Sequence, residues 1–158
     1  MDEKTTPPLM HPPCTALFCM LALLILLPAH ADEQAHIWHA DDPDLEWGPC
    51  PEFMPEGCSL AVLQGDPEDH NADVFFRLPG NSTAPHHWHT SAERMVLVAG
   101  EMEVDYDGQD PVTLTPGTYA YGPPRLPHVT HCTSAEDCVL FIAFEESVDA
   151  IETGGEED

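Results

Sequence analysis

"APHHWHTSAERMVLVAG", Ala84 to Gly100, decides how this chain is read. Three histidines, His86, His87 and His89, occupy four positions. Glu93 follows four residues after the last of them, and the sequence then turns apolar. Side chains alternate along a strand, so His87 and His89 share one face while His86 and Trp88 share the other. Two imidazoles on one face can hold a single metal ion, and Glu93, after a turn at Thr90-Ser91-Ala92, adds a hard oxygen ligand. Met95 to Val98 supply an apolar strand to wall a pocket. His86, facing away, is read as a capping or surface residue.

Further along, "PGTYAYGPPRLPHVTHC", Pro116 to Cys132, ends a proline-stiffened turn with His128. A ligand from that distant strand closes a set of three histidines and one glutamate. His131 lies three residues beyond and faces the opposite side. Short β-like runs fill the region around both stretches: 59–65, 73–79, 94–100, 101–108, 111–117, 118–124, 127–132 and 138–145. Gly, Pro, Asn and Asp punctuate nearly every gap. Many short strands with frequent turn signals predict an all-β sandwich or barrel in a single domain. After residue 31 no window of 11 or more residues carries a helical stripe.

"CTALFCMLALLILLP", Cys14 to Pro28, followed by Ala29-His30-Ala31, reads as a secretory signal cleaved after Ala31. The apolar run is short for a membrane span, which needs about 20 such residues. Cleavage leaves 127 of the 158 residues and predicts a secreted or periplasmic protein with no membrane attachment. The remainder carries 27 carboxylates against three arginines, Arg77, Arg94 and Arg125, for a net charge of −24 and no lysine. That balance excludes a phosphate-backbone (nucleic-acid) partner, which needs clustered Lys or Arg. It also repels an anionic membrane.

Residues 32–58 read as an irregular N-terminal arm pinned by Trp38 and Trp47, residues 59–148 as the β-barrel, and residues 149–158 as an acidic disordered tail. Four cysteines remain after cleavage: Cys50, Cys58, Cys132 and Cys138. An even count in an exported chain suggests disulfides. Three pairings are open, and the short separations favour Cys50–Cys58 and Cys132–Cys138. A cysteine zinc site is the rival, weakened because no pair has Cys-x-x-Cys spacing.

The two histidine stretches resemble the cupin family. Its first motif is Gly, five residues, His-x-His, three or four residues, Glu, six residues, Gly. Here Gly80 is followed by "NSTAP" and His86, then His87-Trp88-His89, "TSA", Glu93, "RMVLVA" and Gly100, with one extra residue before the histidine pair. The second motif is matched by Gly117, "TYAYG", Pro123, Pro124, Arg125, "LP" and His128. Arg125 replaces the family's second glycine and Cys132 its asparagine. The resemblance spans roughly residues 59–145, and "EWGPCPEFMPEGCSLAVLQGDP" is similar to a subgroup of small exported cupins. It implies a jelly-roll β-sandwich with a metal inside the barrel. Carried over residue by residue, the ligands are His87, His89, Glu93 and His128, around one divalent transition metal: iron, manganese, nickel, zinc or copper.

Two functions are consistent with that resemblance. One is an exported metal-dependent oxygenase of the quercetinase-like sort, acting on a small-molecule substrate with Glu93 doubling as catalytic proton acceptor. The other is a non-catalytic metal- or ligand-binding sensory module, similar to the cupin domains of bacterial anti-sigma factors. A homodimer is compatible with either. Arg94 and Arg125 are candidates for a carboxylate or enolate clamp, set against plain ion pairing with the surplus acids. Tyr119, Tyr121, Phe141 and Phe144 are candidates for pocket walls, set against ordinary core packing.

Overall fold

The computed structural model describes residues 34–154. The signal segment and the last four residues of the acidic tail lie outside the described residues. Eleven strands follow one another: β1 (Trp47–Pro49), β2 (Ser59–Gln64), β3 (Asp73–Leu78), β4 (Thr83–Trp88), β5 (Glu93–Ala99), β6 (Met102–Tyr106), β7 (Val112–Leu114), β8 (Tyr119–Gly122), β9 (His128–Cys132), β10 (Cys138–Phe144) and β11 (Ile151–Glu152). They form two sheets, β1-β2-β3-β10-β5-β8 and β11-β4-β9-β6-β7, antiparallel throughout. The architecture is an all-β jelly roll. Among the described residues no helix is long and apolar enough to cross a membrane.

Period-two patterning sets the inner faces. In β5, Glu93, Met95 and Leu97 are buried while Arg94 and Val98 are exposed; in β9, His128, Thr130 and Cys132 are buried between half-exposed Val129 and His131. The core packs Val74, Leu78, Leu97, Met102, Leu140 and Phe144 between the sheets. Gly100 turns the chain from β5 into β6, from one sheet to the other. Its φ is +83°, and a Cβ there would lie 2.8 Å from Cys138 Sγ, so conformation and space both require glycine.

The arm is more ordered than its Pro- and Asp-rich composition predicts. β1 lies inside it and pairs with β2. Leu45 and Trp47 cover the outer face of the six-stranded sheet, packing with Ala61, Phe75 and Val139 in a second apolar cluster. The Arg77 guanidinium stacks 3.7 Å above the Trp47 ring. Both favoured disulfides are present, Cys50–Cys58 in the arm and Cys132–Cys138 joining β9 to β10.

The C-terminal end departs from the expected tail. β11 pairs with β4, placing Ile151 opposite Trp88 and Glu152 opposite His87. Ser91 ties down the start of this segment: its hydroxyl oxygen accepts from the backbone N–H of Glu145 and of Glu146, at 2.8 and 2.9 Å. Acidic composition misled the reading, because Val148 and Ala150 pack against the core and β11 pairs with β4.

Candidate metal centre

The pairing of β4 with β9 determines which histidines face inward. Ala84 stands opposite Thr130 and His87 opposite His128, so three steps along β4 match two along β9. This β-bulge at Pro85-His86 lets both Ala84 and His87 point into the barrel despite their odd separation. Proline suits the bulge, since it has no N–H to offer the ladder. His89 lies just past the strand and also turns inward. His86 is turned out, with Nε2 2.9 Å from Asp107 Oδ1 and Nδ1 against the Thr153 hydroxyl. His131 likewise faces outward, its Nδ1 2.8 Å from Thr83 Oγ1.

His87, His89 and His128 are all buried, and each brings a ligand nitrogen to within 4.8 Å of the others. Every one of these rings has its Nδ1–H committed to a backbone carbonyl: His87 to Pro85 at 2.6 Å, His128 to Leu126 at 3.1 Å, and His89 to Asp149. That fixes the tautomer and leaves Nε2 of each ring as the free, lone-pair-bearing nitrogen. Glu93, 3 % exposed, sets Oε1 3.4 Å from His89 Nε2. Three converging imidazole acceptors with a carboxylate beside them form a donor set suited to a divalent transition metal.

Burial controls the charges here. It lowers His87 to about 3, helped by the neighbouring His128 and His89, and it also lowers His89 and His128. Glu93 is raised to about 7, chiefly by burial and further by Asp149, against an opposing pull from His128. Without a cation the site therefore favours neutral rings and a protonated acid.

Above the cluster lies a cavity of about 250 Å³ between the sheets. Its walls are mostly apolar, including Leu60, Phe76, Met95, Leu140 and Phe144, with Pro49 to Pro51 and Met54 of the arm on one side and Val148 to Ala150 on another. Phe144 is thus the pocket aromatic that the sequence suggested. Tyr119 and Tyr121 instead stand exposed on edge strand β8, and Phe141 packs on the outer face with Phe75. Neither candidate arginine lines the cavity. Arg94 pairs with Glu145 at 3.4 Å on the surface, and Arg125 lies over the Trp88 ring at 5.5 Å. Arg125, at the position of the second-motif glycine, has a φ of +62° and donates its N–H to His89 O at 2.8 Å. The turn keeps the glycine conformation at a cost of about 1–2 kcal/mol for an L side chain.

Residues 74–144 match the family model described as Cupin domain. Over those residues the chain is similar to a cupin domain. Solved structures agree on the fold. DMSP lyase DddQ from Ruegeria pomeroyi DSS-3 matches at 21% identity with a TM-score of 0.61, over 72% of this chain and 64% of that one. The polyketide cyclase RemF from Streptomyces resistomycificus matches at 19% identity with a TM-score of 0.61, over 78% and 89%. An RmlC-like cupin from Shewanella frigidimarina NCIMB 400 matches at 19% identity with a TM-score of 0.57, over 73% and 95%. The chain thus spans a little under two thirds of the lyase's length. No curated protein matches the chain.

Two residues at this site escaped the sequence reading. Tyr106 closes β6 and lines the cavity; the alternation of Met102, Val104 and Tyr106 was the available signal. Asp149 was assigned to the tail. Its carbonyl accepts from His89, while its carboxylate accepts from the Thr90 N–H at 2.8 Å and from the Thr90 hydroxyl. Replacing Asp149 with Ala is expected to weaken metal binding about 10-fold, at the lower end for outer-shell partners, because the loop carrying His89 loses its anchor. Chelator-competition titration of wild type and variant measures this, and unchanged affinity refutes it.

Proposed function

We propose that the chain holds one divalent transition-metal ion on His87, His89, His128 and Glu93, and that it is an exported enzyme acting on a small, largely apolar molecule in the cavity above that site. The carrying observation is the set of three imidazoles whose Nδ1 atoms are all committed to carbonyls, beside a buried carboxylate. The donors fit iron, manganese, nickel, zinc or copper. When bound, such an ion supplies Lewis acidity toward a substrate oxygen.

The chain's own groups do the rest. The carbonyls of Pro85, Leu126 and Asp149 orient the rings. The apolar walls exclude water and strengthen every charge interaction inside. Glu93 turns one oxygen to His89 and leaves the other toward Gly122, placing a proton acceptor at the cavity wall. About 250 Å³ is slightly below the roughly 300–1,000 Å³ usual for drug-sized ligands, so the substrate is small. Metal-dependent oxygenation of the quercetinase-like sort, on a neutral phenol or enol, is the activity proposed. The two disulfides support an oxidising compartment and thus the secreted or periplasmic location.

A second reading, a non-catalytic metal- or ligand-binding module, is favoured by the scarcity of polar groups on the cavity wall beyond the ligands, Tyr106, Thr130 and Asp149. Elemental analysis of protein from its native compartment, followed by oxygen uptake with flavonols, diketones and catechols, separates the two. Metal-dependent turnover that disappears in Glu93→Gln supports the enzyme. Tightly retained zinc with no turnover under any metal supports the module.

A further inference from the structure

The Tyr106 hydroxyl is buried and has no hydrogen-bond partner among the described residues. Buried hydroxyls are nearly always paired, and an unpaired one destabilises the fold. Its position explains the exception. Tyr106 lines the cavity, with its ring centre 5.2 Å from that of His128. Across from it, Gly122 ends β8 opposite Glu93. A Cβ on Gly122 would lie 3.1 Å from Glu93 Oε2 and 3.5 Å from Tyr106 Oη. Gly122 has no left-handed φ, so its backbone does not demand glycine. With no side chain on Gly122, the Glu93 carboxylate oxygen and the unpaired Tyr106 hydroxyl approach the same point of β8, and both residues line the cavity.

We infer that Tyr106 is a substrate-contacting residue: its hydroxyl donates a hydrogen bond to an oxygen of a small apolar molecule seated in the cavity beside Glu93. The flanking groups define the substrate class. Tyr106 offers a donor and Glu93 Oε2 an acceptor, and a single hydroxyl oxygen satisfies both. The ligand is therefore a neutral alcohol, phenol or enol on an apolar body; a carboxylate in the cavity would face Glu93 and Asp149. The inference rests on reading this cavity as a ligand site, but not on which metal the cluster holds.

Phenol and toluene, alike in size and differing in the hydroxyl, are the probes. Each is titrated calorimetrically into the full chain, metal-free and zinc-loaded, and into Tyr106→Phe and Gly122→Ala. The wild type should bind phenol about tenfold more tightly than toluene, the increment of one hydrogen bond. In Tyr106→Phe the two affinities should converge. That variant should retain zinc and melt no lower than wild type, because the lost hydroxyl had no partner to abandon. Gly122→Ala should bind phenol more weakly, because its Cβ crowds the Glu93 and Tyr106 oxygens that the hydroxyl needs. Equal affinities in the wild type, a preference that survives in Tyr106→Phe, or a marked fall in that variant's melting temperature overturns the assignment. If neither probe binds, the ligand-cavity reading falls with it. If zinc does not bind but the phenol preference stands, only the metal reading fails.

Discussion

His89→Ala is expected to lower metal affinity by on the order of 100- to 1,000-fold, while His86→Ala leaves it unchanged. Four-ligand sites bind with roughly 10–16 kcal/mol, so losing one of four ligands removes about 3–4 kcal/mol. The two histidines are three positions apart, and the bulged β4 turns them to opposite sides. His89 lies among His87, His128 and Glu93, whereas His86 faces Asp107 and Thr153 at the surface. Competition with a chelator of known affinity measures both variants, with circular dichroism confirming that each is folded. Equal losses from the two changes would show that the inward cluster is not the site.

Acid should destabilise the metal-free chain, and the buried histidines should account for it. Unfolded histidines take up protons as pH falls through about 6.5. In the folded chain His87 does so only near 3, and His89 and His128 are lowered in the same direction. Below about 6.5 the unfolded state therefore binds more protons, and stability falls with pH. For His87 alone the loss at pH 5 is about 2 kcal/mol. Glu93 works the other way. Raised to about 7, its folded form keeps a proton that the unfolded chain releases above its ordinary value, so this contribution grows as pH falls from 7 toward 5. It offsets about one histidine, and the lowered His89 and His128 keep the net effect in the histidines' direction. Relief of repulsion across the acidic surface also stabilises on acidification, so the decisive comparison is with His87→Gln. Thermal melts of the metal-free proteins between pH 7.5 and 5 should show the variant losing about 2 kcal/mol less than wild type. An identical pH response in the two would refute the role given to His87.

Much of the site was legible because its signals are local. Glu93 and His128 were proposed through the motif resemblance, and the alternating burial along β5 and β9 turns both inward. The left-handed turn at Arg125 was not read from the sequence, although the motif's glycine position was its signal. The cysteine pairing followed from short separations. Simple alternation also put His87 and His89 on one face, yet β4 is not simple. The extra residue before the histidine pair falls in the stretch that bulges, and without the bulge an inward Ala84 would turn His86 inward instead of His87.

The order and spacing of the two histidine motifs, the apolar periodicity of the strands and the Gly and Pro punctuation were determined by the sequence itself, because each depends on neighbours within a few residues. Only the tertiary structure decided the remainder. Asp149 reaches His89 across 60 positions, Tyr106 and Gly122 meet from strands in different sheets, and the arm and the final segment border the cavity. These contacts arise from closing two sheets around one core. Segments that look polar or irregular by composition acquire their order from surfaces the rest of the chain presents, and no local pattern encodes that.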